Sequence, residues 1–354
     1  MDVATITRRD VLVGGAIVAA TAGAGALLNR SPTTQMPVRT ITLEEHFLTD
    51  ATIDIAKDNV SDELLQRLSD LSTRRLAAMD EAQIDVQVLS LTAPGFQNID
   101  ASVAIPRAIQ CNDHLRREVI DRHPARFAGW ATLPTADPDA AAHELERAVK
   151  ELGFVGALIN GRTQGLFLDD PRFDPILSAA MELDVPIYLH PNVPTKAVIN
   201  EYYSGLNPAV SRTLGLGGLG WHQETGLHVL RLILAGVFDK YPTLKIIIGH
   251  MGEGLPFYHA RIREQFLNQA THLKFSPDAY LTRNLWITTS GFGDDAVFDI
   301  ARKVFGDDRI MFSVDYPFAN AVEMRRWFDA AQLADDARKQ MAYTTAASLL
   351  KLPT

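Results

Sequence analysis

Eight short apolar runs, separated by longer stretches of helical spacing, constrain this chain more than any other feature of its sequence. The runs cover residues 38–43, 86–91, 127–133, 156–160, 186–189, 244–249, 285–289 and 310–313. Several are near-continuous, such as Ile246-Ile247-Ile248, the pattern of parallel strands covered on both faces. Helical patterns fall at residues 62–82, 136–152, 171–183, 225–238, 256–266, 295–304 and 319–333. The first of them carries Leu64, Leu65, Leu68, Leu71, Leu76 and Met79 at helix-like intervals. This alternation predicts an α/β fold of the closed (β/α)8 TIM-barrel class. An open doubly wound sheet is disfavoured. No Gly-x-Gly-x-x-Gly follows the first run, and Gly215-Leu216-Gly217-Gly218 follows no strand.

A barrel of this kind carries its chemistry at the C-terminal ends of its strands. The first run leads into Glu44-Glu45-His46. Alternate strand residues share a face, so Glu44 and His46 point one way and Glu45 the other. Later runs end in Tyr188-Leu189-His190-Pro191, Gly249-His250-Met251-Gly252-Glu253 and Ser313-Val314-Asp315-Tyr316-Pro317. Oxygen and nitrogen donors gathered on one rim predict a divalent metal site. His114, His123 and His143 lie in polar helical patterns and read as surface residues. His222 and His228 have poor spacing for ligation from one helix and read as structural or supporting groups. Between His190 and Thr225 runs a long segment rich in Pro, Gly and aromatic residues. It is a candidate lid or subunit contact.

The motifs EEHF, YLHP, GHMGEGLPFYHAR and FSVDYPF resemble the metal-dependent decarboxylase branch of the amidohydrolase superfamily. That branch includes γ-resorcylate, 2,3-dihydroxybenzoate and aminocarboxymuconate-semialdehyde decarboxylases. The likeness runs from about Val38 onward, takes in Met79-Asp80 and Gly153-Phe154-Val155-Gly156-Ala157, and is nearest to the resorcylate type. It implies that Glu44, His46, His190 and Asp315 hold one divalent ion, Zn²⁺ or Mn²⁺. It further implies that His250, Glu253 and Arg261 line the catalytic pocket, with Asp315 as proton donor. The implied substrate is a small hydroxylated aromatic carboxylate, with Phe47, Phe292, Tyr316, Phe318 and Trp221 as candidate walls. The first motif is Glu-x-His rather than His-x-His, and no strand ends in a lysine that could bridge two metals. Both departures favour one ion and decarboxylation. A metal-dependent hydrolase of a lactone, ester or amide in the same superfamily is the alternative reading. A homo-oligomer, dimer or tetramer, is expected.

The first 28 residues read differently. Arg8-Arg9 is followed by an Ala/Gly/Val-rich stretch with no charge between residues 11 and 28. Small-residue sites such as Ala22-Gly23-Ala24 complete the pattern of a signal peptide. The arginine pair resembles a twin-arginine export signal, which implies an extracytoplasmic destination. Residues 29–37 read as a linker and residues 38–354 as the barrel. A net charge of −9 offers no basic field for nucleic acid or an anionic membrane. Cys111 is the sole cysteine, so no internal disulfide can form, and its helical neighbours suggest a buried, inert thiol.

Overall fold

Residues 38–57 and 60–352 are described by the computed structural model. The twin-arginine segment and the linker lie outside them. Among the described residues no helix is long and apolar enough to cross a membrane.

Eight parallel strands form the barrel. They are β1 (Ile41–Phe47), β2 (Val86–Leu91), β3 (Phe127–Gly129 continued by Ala131–Thr132) and β4 (Ala157–Asn160). The others are β5 (Ile187–His190), β6 (Ile246–Ile248), β7 (Leu285–Thr288) and β8 (Ile310–Met311). Each pairs in parallel with the next. A parallel bridge between Glu45 and Tyr316, with the His46 amide donating to the Tyr316 carbonyl, joins the end of β8 back to β1. The single run at residues 127–133 is interrupted at Trp130. There the amide turns to Leu89 of β2, while the next amide, Ala131, turns to Gly156 beside β4. The strand changes partner at that residue.

Helices of eight or more residues lie between the strands. They are α1 (Asp62–Ser69), α2 (Thr73–Glu81), α3 (Ala101–His114), α4 (Pro138–Lys150), α5 (Asp174–Glu182) and α6 (Pro208–Gly215). After them come α7 (Gly220–Leu234), α8 (Leu255–Phe266), α9 (Asp295–Phe305) and α10 (Ala321–Ala330). Leucine spacing alone suggests one helix over residues 62–82, but two form. The Asp70 carboxylate accepts from the amides of Ser72 and Arg74, at 3.0 and 3.2 Å. It thereby caps a new helix, and capping chemistry overrides periodicity there. Asp137 and Asp294 cap α4 and α9 in the ordinary way.

Two apolar cores result. Residues such as Leu89, Ala104, Leu145 and Phe298 fill the layer between strands and helices. Ile41, Leu43, Val88, Trp130, Tyr188 and Ile247 fill the barrel interior, with Ala346, Ala347 and Leu350 from the C-terminal segment in the same cluster. Burying each large side chain contributes about 1.5–3 kcal/mol. The interior is therefore a packed plug, and polar groups meet only at its upper rim. Cys111 is buried in α3, and burial pushes its thiol up to about 12.

Candidate metal centre

The centre begins with an irregularity in β1. Ile41 and Leu43 point into the barrel, so strict alternation would also aim Glu45 inward and Glu44 outward. The pairing of β1 with β2 shifts register between Thr42 and Glu45. Both the Leu43 and Glu44 amides donate to one acceptor, Ser313 Oγ, at 2.9 and 2.8 Å. This is a β-bulge, which re-aims the side chains that follow it. Glu44 and His46 consequently face the interior, and Glu45 faces away.

Four groups offer donor atoms within 4.8 Å of one another: Glu44, His190, His250 and Asp315. Glu44 Oε1 is 3.2 Å from His190 Nε2 and 3.4 Å from His250 Nε2. Asp315 Oδ1 lies 3.3 Å from His46 Nε2, and Asp315 Oδ2 lies 3.7 Å from His250 Nε2. Glu44 Oε1 and His46 Nε2 are buried with no hydrogen-bond partner. Orphaned buried polar atoms carry a desolvation penalty unless something else satisfies them. Two ligands about 2.0–2.2 Å from a common ion, at tetrahedral or octahedral angles, stand about 2.8–3.6 Å apart. The donor set and its spacings fit one divalent cation.

Charge and hydrogen bonding support the same fit. Burial alone would raise the Glu44 carboxyl, but His250, His190 and His46 around it hold it well below the ordinary range. Burial also works to raise Asp315, and the adjacent His250 and His46 imidazoles pull it down. Burial drives His46 down, toward the neutral imidazole that a metal requires. The outer atoms of these side chains are occupied. His46 Nδ1 meets Ser90 Oγ at 3.1 Å, and His190 Nδ1 meets the Pro191 carbonyl at 2.7 Å. The Tyr188 hydroxyl donates to Glu44 Oε2 and contacts Thr288 Oγ1 at 2.8 Å. Such outer bonds fix ring orientation and aim the remaining nitrogen at the ion.

His250 and Glu253 sit on an unusual turn. Residues 250–254 all have positive φ, at 49, 55, 84, 54 and 78°. Left-handed backbone costs roughly 1–2 kcal/mol at each residue with a Cβ; Gly252 and Gly254 escape that cost. The turn brings Glu253 Oε1 to 2.7 Å from His250 Nδ1, leaving Nε2 facing the metal donors. Burial would lower His250, but Glu44 and Glu253 carry it well above its usual value. The second oxygen of Glu253 meets His222 Nδ1 at 2.7 Å.

His222 is thus brought into the site, at the start of α7, where spacing alone allowed only a supporting role. His228, one and a half turns on, is structural: its Nε2 accepts from the Leu168 amide at 2.7 Å, and burial drives it down to about 3. Trp221, Phe292 and Phe318 line the rim, with ring centroids 6.4 Å from His190, 5.7 Å from His250 and 5.6 Å from His46. Phe47 and Tyr316 are buried in the core instead, and the Tyr316 ring lies beneath the Arg75 guanidinium. Arg261 is exposed on α8, and both Glu253 oxygens are taken by histidines. The sequence had a signal for Tyr188, which shares a strand face with His190 two residues on. It had none for Ser90, which meets His46 only through the β1–β2 register.

A family model described as Amidohydrolase matches residues 62–352. The chain belongs to the amidohydrolase family. Among its relatives is a γ-resorcylate decarboxylase of Polaromonas sp., 41% identical over 330 residues that cover 88% of this chain and 98% of the relative. A solved dihydroxybenzoic acid decarboxylase from Polaromonas sp. JS666, with bound manganese and the inhibitor 2-nitroresorcinol, superposes with a TM-score of 0.83 at 39% identity. That match covers 89% of this chain and 97% of the neighbour. A 2,6-dihydroxybenzoate decarboxylase from Rhizobium gives 0.79 at 37% identity, over 89% and 99% of the two chains.

Proposed function

We propose that this amidohydrolase is a metal-dependent carboxy-lyase. It removes CO₂ without oxidation from a hydroxylated aromatic carboxylic acid. The observation that carries the reading is the convergence of Glu44, His190, His250 and Asp315, with His46 Nε2 3.3 Å from Asp315 and left, like Glu44 Oε1, without a partner. The likeness to decarboxylases of dihydroxybenzoates along nearly the whole chain supports the substrate class.

Glu44, His46, His190 and Asp315 would hold one divalent ion, Mn²⁺ as in the Polaromonas neighbour or Zn²⁺. The ion would supply Lewis-acid attraction for the substrate carboxylate and an adjacent phenolic oxygen. Phe292, Phe318 and Trp221 form a flat wall suited to an aromatic ring. Direct loss of CO₂ would leave an aryl carbanion, so the ring carbon bearing the carboxylate must be protonated first. Asp315 is the donor: an arriving carboxylate adds negative charge beside it and raises its affinity for a proton. His250, 3.7 Å away and held by Glu253, is placed to pass that proton. Asp315 then delivers it to the ring carbon, the carbon–carbon bond breaks, and its electron pair restores the aromatic ring.

The test is CO₂ release from hydroxybenzoates by chain stripped with a chelator and reloaded with Mn²⁺. Release is expected from ortho-hydroxy acids alone, absent in the stripped protein and restored near one equivalent of ion. Full turnover without metal, or hydrolysis of lactones and esters with no CO₂ from any phenolic acid, would count against it.

We also propose that residues 1–28 direct export through the twin-arginine route. The Arg8-Arg9 pair and the uncharged, small-residue stretch after it support this reading. A variant with both arginines changed to lysine is expected to stay in the cytoplasm, folded and active. Export at the wild-type level by that variant would refute the assignment.

A further inference from the structure

Glu45 is the residue of the first motif that the chemistry above leaves unused. It is fully buried on the face of β1 opposite Glu44 and His46. Burial pushes its carboxyl up to about 8, against its hydrogen bonds and the charge of Arg75. Four donors meet its two oxygens, and the buried Thr42 hydroxyl lies beside it as well. Oε1 accepts from Ser313 Oγ and from the Val314 amide, each at 3.2 Å. Oε2 accepts from Gln87 Nε2 at 3.1 Å and from the Tyr316 amide at 3.3 Å. The direction of each side-chain bond is fixed by a further contact. Ser313 Oγ already accepts from the Leu43 and Glu44 amides, so its own proton goes to Glu45. Gln87 Oε1 accepts from Arg75 at 3.2 Å, which leaves its NH₂ group facing Glu45. Four donors aimed at its two oxygens match what a carboxylate accepts.

The two amides belong to the peptides on either side of the pair Val314–Asp315. Between them Asp315 adopts a left-handed conformation, φ 72°, which an aspartate tolerates but does not favour. One carboxylate gripping both flanking peptides fixes the backbone from which the Asp315 side chain departs. Arg75 reinforces the grip: it donates to the His46 carbonyl and lies 4.7 Å above the Tyr316 ring. The bulge in β1 makes this possible, since it sends Glu44 and His46 inward while Glu45 reaches the β8 turn from behind.

We propose that Glu45 is a positioning residue for Asp315, its carboxylate holding the β8 turn that aims Asp315 at the ion and the substrate. The inference rests on the reading of Asp315 as ligand and proton donor. It makes the three residues Glu44-Glu45-His46 a single device, with two ligands in front and a clamp behind.

The test uses the full chain and Mn²⁺. Glu45→Gln replaces one carboxylate oxygen by an NH₂ group, which turns two of the four donors against a donor. Mn²⁺ affinity is expected to fall about 10–100-fold, the usual effect of removing an orienting partner behind a metal ligand. The electron paramagnetic resonance spectrum of bound Mn²⁺ should change, and kcat should fall more than KM. Leu145→Ala, which opens a cavity in α4 far from the turn, is the control for lost stability and should leave affinity and spectrum at wild-type values. If Glu45→Gln does not fold, Glu45→Asp replaces it; the charge remains but one methylene is lost, and the same changes are expected. Wild-type affinity and spectrum in the Glu45 variant would overturn the inference. So would an equal loss in Leu145→Ala at matched stability. A wild-type chain that bound no Mn²⁺ would overturn the underlying reading as well, and thus the two failures are told apart.

Discussion

Asp315→Asn is expected to lower the decarboxylation rate by about 10²–10⁴-fold, the range for removing a general acid–base group. The substitution keeps an oxygen near the ion and keeps the size of the side chain. It removes the one atom pair at the rim that can both face the substrate and carry a proton from His250, 3.7 Å away. Substrate binding should change little, so the loss falls on kcat rather than KM. Steady-state kinetics on an ortho-hydroxybenzoate with Mn²⁺-loaded protein checks this. A large rise in KM with kcat preserved would instead assign Asp315 to substrate binding.

Gly249→Ala is expected to disable the metal site while leaving the fold intact. A Cβ at this position would come within 2.3 Å of Glu44 Oε2 and 3.0 Å of its Cδ. Glu44 cannot step aside freely, because it is buried and tied to Tyr188 and Thr288. The Gly249 backbone itself, at φ −82° and ψ −165°, is ordinary extended chain that alanine adopts without strain. The collision is therefore with the Glu44 carboxylate, not with the backbone. Metal affinity should fall at least as far as it does when an orienting partner is lost, about 10–100-fold, with thermal stability of the metal-free protein nearly unchanged. Metal titration alongside a melting curve separates the two. A variant that melts early but binds Mn²⁺ normally would place the role of Gly249 in packing.

The barrel was legible because its physics is local. Continuous apolar runs such as Ile246-Ile247-Ile248 can be satisfied only between two covered faces, and donors at the ends of such runs have one rim to share. The rest depended on partners distant in sequence. Alternation correctly puts Glu44 and His46 on one face. Their inward direction, however, comes from the bulge, which exists because Ser313, some 270 residues away, takes two amides of β1. His222 faces the site because the left-handed turn at residues 250–254 brings Glu253 to meet it. The break at Asp70 was written locally, but in capping chemistry that a count of leucines ignores. Arg261 is placed by its motif alone; within the chain it is exposed on α8.

Deuterium at the reacting carbon tests the central claim most directly. The Mn²⁺-loaded protein, given 2,6-dihydroxybenzoate in D₂O, should release CO₂ and return 1,3-dihydroxybenzene carrying one deuterium at the carbon that had held the carboxylate. Asp315→Asn should form that product far more slowly, with the same position labelled. Substrate left intact by metal-replete wild-type protein, or product formed with that carbon unlabelled, would contradict the account.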